Sequence, residues 1–114
     1  MTDILILAIA GLHLLFLILE MFLWNTPYGR KVFGLSPEFA EQSSKLAANQ
    51  GLYNGFLAAG LAWAVISHQL EWKLFFLACV VIAGVYGGLT VKRSILFIQA
   101  LPAIIALVLI HTLK

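Results

Sequence analysis

From Ile4 to Trp24 the chain is apolar except for His13 and Glu20. A run of that length reads as a membrane-spanning helix, which needs about 20 apolar residues. Three more apolar segments follow, at about Leu46–Ser67, Trp72–Thr90 and Ser94–Thr112. The connections between them are short, and short connections make neighbouring helices antiparallel. The expected fold is all-α: an integral membrane protein folded as an antiparallel four-transmembrane-helix bundle. A single domain over residues 1–114 is expected, with helices near 4–24, 37–67, 72–90 and 94–112.

Composition supports a membrane protein. Of the 114 residues, 62% are hydrophobic and 11% charged, against about 45–50% and about 25% in an ordinary soluble domain. The net charge of +2 is too small and too dispersed for nucleic-acid binding. Cys79 is the single cysteine, so no intrachain disulfide can form. Met1-Thr2-Asp3 lacks the basic start of a cleaved signal peptide, which leads us to expect a retained first helix.

The longest connection carries turn signals in Asn25-Thr26-Pro27-Tyr28-Gly29. Ser36-Pro37-Glu38 then has the signature of a helix start: a serine cap, proline at the first position and an acid in the first turn. The basic residues set an orientation. Arg30, Lys31, Lys45, Lys92 and Arg93 fall on one side; Lys73 and Lys114 fall on the other. Five against two places loops 25–36 and 91–94 in the cytoplasm and both termini outside, in a multi-pass membrane protein.

At that orientation, polar residues collect at one depth near the cytoplasmic side. Glu20 and Trp24 come from helix one, Asn49, Gln50, Tyr53 and Asn54 from helix two, Tyr86 from helix three and Gln99 from helix four. His13 lies deeper, seven residues and about 10 Å before Glu20 on the same helix face. Trp24, four residues past Glu20, is expected on nearly that face too. Asn49 and Tyr53 share one face of helix two, Gln50 and Asn54 the adjacent one. A carboxylate inside a spanning helix costs roughly 2.5–3.5 kcal/mol at the bilayer centre and less near an interface. Two readings of Glu20 stand side by side: a ligand site, or a carboxylate reaching the headgroups or paired with Arg30 or Lys31. The amides and tyrosines have a structural alternative as well, as bonds across helices or interfacial aromatics.

Gly51, Gly55 and Ala59 recur every four residues in helix two, and Gly84 with Gly88 in helix three. Small residues at this spacing allow close backbone approach. Either helices two and three pack tightly or these faces form the seam of a homodimer. Pro102 removes one backbone bond from helix four and should kink it about a turn from Gln99. No catalytic triad, phosphate loop, paired cysteines or metal-binding helix motif is present, so no metal and no cofactor is expected.

The segment Asn49-Gln50-Gly51-Leu52-Tyr53-Asn54-Gly55-Phe56 resembles the signature of a family of small bacterial membrane proteins catalogued as domain of unknown function 1304. Glu20-Met21-Phe22-Leu23-Trp24, Ala83-Gly84-Val85-Tyr86-Gly87 and Gln99-Ala100-Leu101-Pro102-Ala103 resemble it too. The resemblance spans nearly the whole chain and implies a four-helix, multi-pass protein of the bacterial plasma (inner) membrane, with no activity attached. Size, helix count and a lone acid in helix one are also similar to small multidrug transporters. The acid near a helix end and the Asn-Gln-Gly-Leu-Tyr-Asn-Gly motif depart from that pattern, which leaves an architectural analogy.

The expected function is binding or transport of a small amphipathic or cationic ligand in the bilayer, proton-coupled through Glu20. The alternatives are an enzyme acting on a lipid-like substrate and a structural or accessory membrane subunit. The sequence leans away from an enzyme.

Overall fold

Proline and its caps divide the first half of the chain. In the computed structural model, which describes residues 1–113, α1 spans Thr2–Met21. Its last bonds widen, with the Leu23 N–H donating to the Ile18 carbonyl. Thr26 precedes Pro27 and is extended, with φ −102° and ψ 162°, because a residue before proline is kept out of the helical region. The chain must leave α1 before that point. Trp24 therefore lies beyond the helix, which corrects the expectation that it continues the Glu20 face.

Thr26 also starts a helix absent from the sequence reading. Its Oγ1 accepts from the Gly29 N–H at 3.1 Å and donates to the Leu23 carbonyl at 2.6 Å. With Pro27 at the first helical position, where its missing N–H costs nothing, the helix α2 spans Pro27–Phe33. Gly34 ends it in the left-handed region at φ 66°, the usual glycine device for stopping a helix. Ser36 then caps α3, Pro37–Ile66, by accepting from the Phe39 N–H at 3.1 Å.

The second half is a helical hairpin. The helix α4 spans Leu70–Thr90. Residues 94–112 form one further helix. Its Leu96–Ala100 portion is π-helical, and its remainder is α5, Leu101–Thr112. The wide turn sits directly before Pro102, whose ring would clash with the carbonyl four residues back and which has no N–H to offer it. Lengthening the turn relieves that conflict.

The chain divides into two compact units: Met1–Ala10 with the chain from Ala59 onward, and Gly11–Ala58. In the first unit the buried residues include Ile6, Ile9, Ala10, Leu61, Ala64, Leu77, Val80, Ala100, Ala103 and Ala106. The ion pair of Lys73 Nζ with Asp3 Oδ1, at 2.8 Å, joins the start of α1 to α4. Gly84 and Gly88 pack α4 against the π-helical segment: a Cβ on Gly84 would lie 2.6 Å from the Ala100 nitrogen, and one on Gly88 would strike Leu96. Gly60 meets the ring of Phe76 in the same way, so α3 approaches α4 there. In the second unit Gly51 and Gly55 of α3 face Leu17, Glu20 and Met21 of α1.

Among the described residues two helices, α1 and α4, are long and apolar enough to cross a membrane, where the sequence suggests four. Although α3 has 30 residues, Asn49, Gln50, Tyr53 and Asn54 dilute its apolar character. Leu96–Thr112 is apolar but shorter. Lys114, which enters the charge tally for orientation, lies outside the described residues.

Candidate functional site

Glu20 occupies the last turn of α1 and is half-buried; Asn54 lies mid-way along α3 and is buried. Asn54 Nδ2 donates to Glu20 Oε1 at 2.5 Å. Gly51 makes room for this pair. A Cβ there would lie 3.1 Å from Glu20 Cβ and 3.2 Å from the Leu17 carbonyl oxygen, so the missing side chain lets the stem of Glu20 pass across α3. Ala47, Gly51, Asn54 and Ala58 are all buried, and their spacings of four, three and four put them on one helix face.

The other candidates divide by that face. Asn49 and Gln50 are exposed, and Tyr53 is 52% exposed with its ring against Phe56. They lie off the Ala47–Gly51–Asn54–Ala58 stripe, so Gln50 does not accompany Asn54. His13 is fully buried, two turns before Glu20, and meets Phe16 edge-to-face at 5.4 Å. In the other unit, Tyr86 is 70% exposed on α4 and Gln99 is half-buried in the π-helical segment. No group of three or more His, Cys, Asp or Glu residues able to hold a metal occurs among the described residues.

Trp24 has a different role from the one its spacing suggests. Its Nε1–H donates to Ser43 Oγ at 3.0 Å, and Ser43 Oγ donates to the Phe39 carbonyl at 2.6 Å. The indole also meets Phe33 at 4.8 Å. Trp24 thus ties the turn after α1 and the end of α2 to the first turns of α3. Ser43 escapes a reading by spacing because it lies 19 residues away in sequence. Trp24→Phe keeps the ring contact and loses the hydrogen bond, with an expected cost of about 1 kcal/mol. Ser43→Ala should cost about the same, and the double variant little more; thermal unfolding in detergent measures this.

Chemically, the Glu20–Asn54 pair is a carboxylate with one oxygen held by a buried amide. Asn54 fixes the carboxylate's orientation. A carboxylate so placed can accept a proton or hold a cation, since its two oxygens offer about four acceptor positions.

The profile of the family described as protein of unknown function (DUF1304) matches residues 7–111. An uncharacterised protein of Lactococcus lactis subsp. lactis, YpaA, is 35% identical over 112 residues, which cover 95% of this chain and 94% of that protein. No solved structure matches. The Glu20-Met21 and Asn49–Phe56 segments, which supply the buried pair, fall inside the matched region, and the chain belongs to the DUF1304 family.

Proposed function

We propose that this chain is a multi-pass membrane protein with four antiparallel spanning segments that binds, and in exchange for protons transports, a small cationic or amphipathic molecule at Glu20. The observation that carries this reading is the 2.5 Å bond from buried Asn54 to Glu20 Oε1. A carboxylate that merely reached the headgroups would need no buried amide from another helix. An intramembrane ionisable group held in this way is a site by default.

Exposure supports the membrane part. Only 28% of the apolar window of α1 and 22% of that of α4 is buried, whereas the core helix of a soluble protein is mostly covered. Ile4, Phe22, Ile82, Leu89 and Phe97 are each at least 67% exposed. Apolar surface on that scale needs lipid or a partner. In this reading loops 25–36 and 91–94 face the cytoplasm.

Proton and cation compete for one carboxylate, so binding strengthens as pH rises. The test is stabilisation of the purified protein by tetraphenylphosphonium. At a hundredfold excess over Kd, a ligand of the folded state raises stability by about 2.7 kcal/mol. Glu20→Gln retains an acceptor for Asn54 and should unfold close to wild type, yet show none of that shift. A variant still stabilised by the cation would overturn the proposal.

A further inference from the structure

On the first unit, α4 carries a groove of about 460 Å³ lined by Glu71, Trp72, Phe75 and Phe76. The groove is shallow and open, so a small molecule would lie along it only partly covered. We infer that it binds an organic ammonium ion with an apolar tail: the quaternary nitrogen over the rings and beside Glu71, the tail along the phenylalanines. This site does not depend on the reading of Glu20.

Three features give the groove that chemistry. First, the rings are set at different tilts. Trp72 and Phe76 lie 6.3 Å apart at 43°, and Phe75 meets Phe76 edge-on at 5.3 Å and 83°. Aromatic faces attract cations through their quadrupole, tryptophan most strongly. Second, one wall is fixed. Phe76 fills the space where Gly60 of α3 would otherwise carry a Cβ, while Trp72 and Phe75 remain 46% and 63% exposed.

Third, the sign of the charge is settled. Lys73, the adjacent cation, is drawn to Asp3 at 2.8 Å. Glu71 is therefore the charged group that faces the groove. The start of α4 contributes a partial positive charge of about half a unit, which is smaller than the full charge of the carboxylate. Interfacial aromatics alone would suit any amphipath. A carboxylate among three rings, with the neighbouring lysine already paired, selects a soft cation.

The test is a titration of the full chain in uncharged maltoside micelles with hexyltrimethylammonium, following the indole N–H resonances by NMR. Trp72, assigned through Trp72→Phe, should shift saturably, while the Trp24 resonance stays in place. Hexanol, with the same tail and no charge, should bind at least fivefold more weakly. Phe75→Leu, which keeps the Trp72 probe, should weaken the ammonium about fivefold, the scale of an exposed cation–π contact. Glu71→Gln should weaken the ammonium and leave hexanol unchanged. The inference is overturned if hexanol matches the ammonium, or if Phe75→Leu and Glu71→Gln both bind as wild type. Glu20→Gln serves as the control: undiminished binding places the ammonium in the groove, whereas loss of binding assigns it to Glu20 and removes the groove site.

Discussion

Gly84→Val is expected to destabilise the protein by about 3 kcal/mol, the upper range for overpacking a close-packed site. The Cβ alone would lie 2.6 Å from the Ala100 nitrogen, 2.8 Å from its Cβ and 2.9 Å from its Cα. These are mostly backbone atoms, so no side-chain rotation can relieve the contact; α4 and the π-helical segment must separate. Gly51 and Gly55 are crowded as well, at 2.7 Å from Met21 Cγ and 2.6 Å from Leu17 Cδ1, but those are flexible side-chain atoms. Alanine at either should cost less than at Gly84. Gly11 has nothing within 4 Å of a Cβ, so Gly11→Ala should stabilise by about 0.5–1 kcal/mol through helix propensity. Unfolding in mixed micelles measures the series. Similar losses at Gly84 and Gly55 would contradict the distinction between backbone and side-chain crowding.

The second large effect belongs to the buried pair. Asn54→Leu removes the donor to Glu20 Oε1 and leaves the carboxylate oxygen without it. Hydrogen bonds to charged groups contribute about 1.5–3 kcal/mol, while polar contacts between membrane helices average about 0.6 kcal/mol. The expected loss is about 2–3 kcal/mol with Glu20 ionised. In the Glu20→Gln background the same substitution should cost about 1 kcal/mol, because only a neutral bond is lost. The difference between the two backgrounds reads the charge on Glu20 directly. Equal losses would mean that Glu20 is neutral beside Asn54.

The long apolar runs made α1 and α4 legible, and Ser36-Pro37-Glu38 marked the start of α3. The same cap-and-proline signal at Thr26-Pro27 read as a turn, because its helix lasts only from Pro27 to Phe33 and has too little length to show a period. Glu20 and Asn54 stood out as polar residues in apolar surroundings. Their pairing did not, since sequence spacing gives the faces of α3 without saying which one meets α1. The buried stripe of Ala47, Gly51, Asn54 and Ala58 was nevertheless written in small residues, and it separates Asn54 from Asn49, Gln50 and Tyr53. Depth alone could not make that separation, because all four lie at nearly one level.

The π-helical turn before Pro102 also carries a lesson about numbering. An α-helix advances about 100° per residue, and a π turn holds roughly one residue more than an α turn. Residues before Leu96 and after Ala100 are therefore about 100° out of phase with a continuous α-helix. A helical wheel drawn through residues 94–112 would misplace one half against the other. Loss of a single residue within Leu96–Ala100 would restore an ordinary α-helix and keep Ala103 and Ala106 toward the interior, whereas loss of one residue from the α-helical part would turn everything beyond it by about 100°. In this stretch, one residue of length is equivalent to a quarter-turn of the screw.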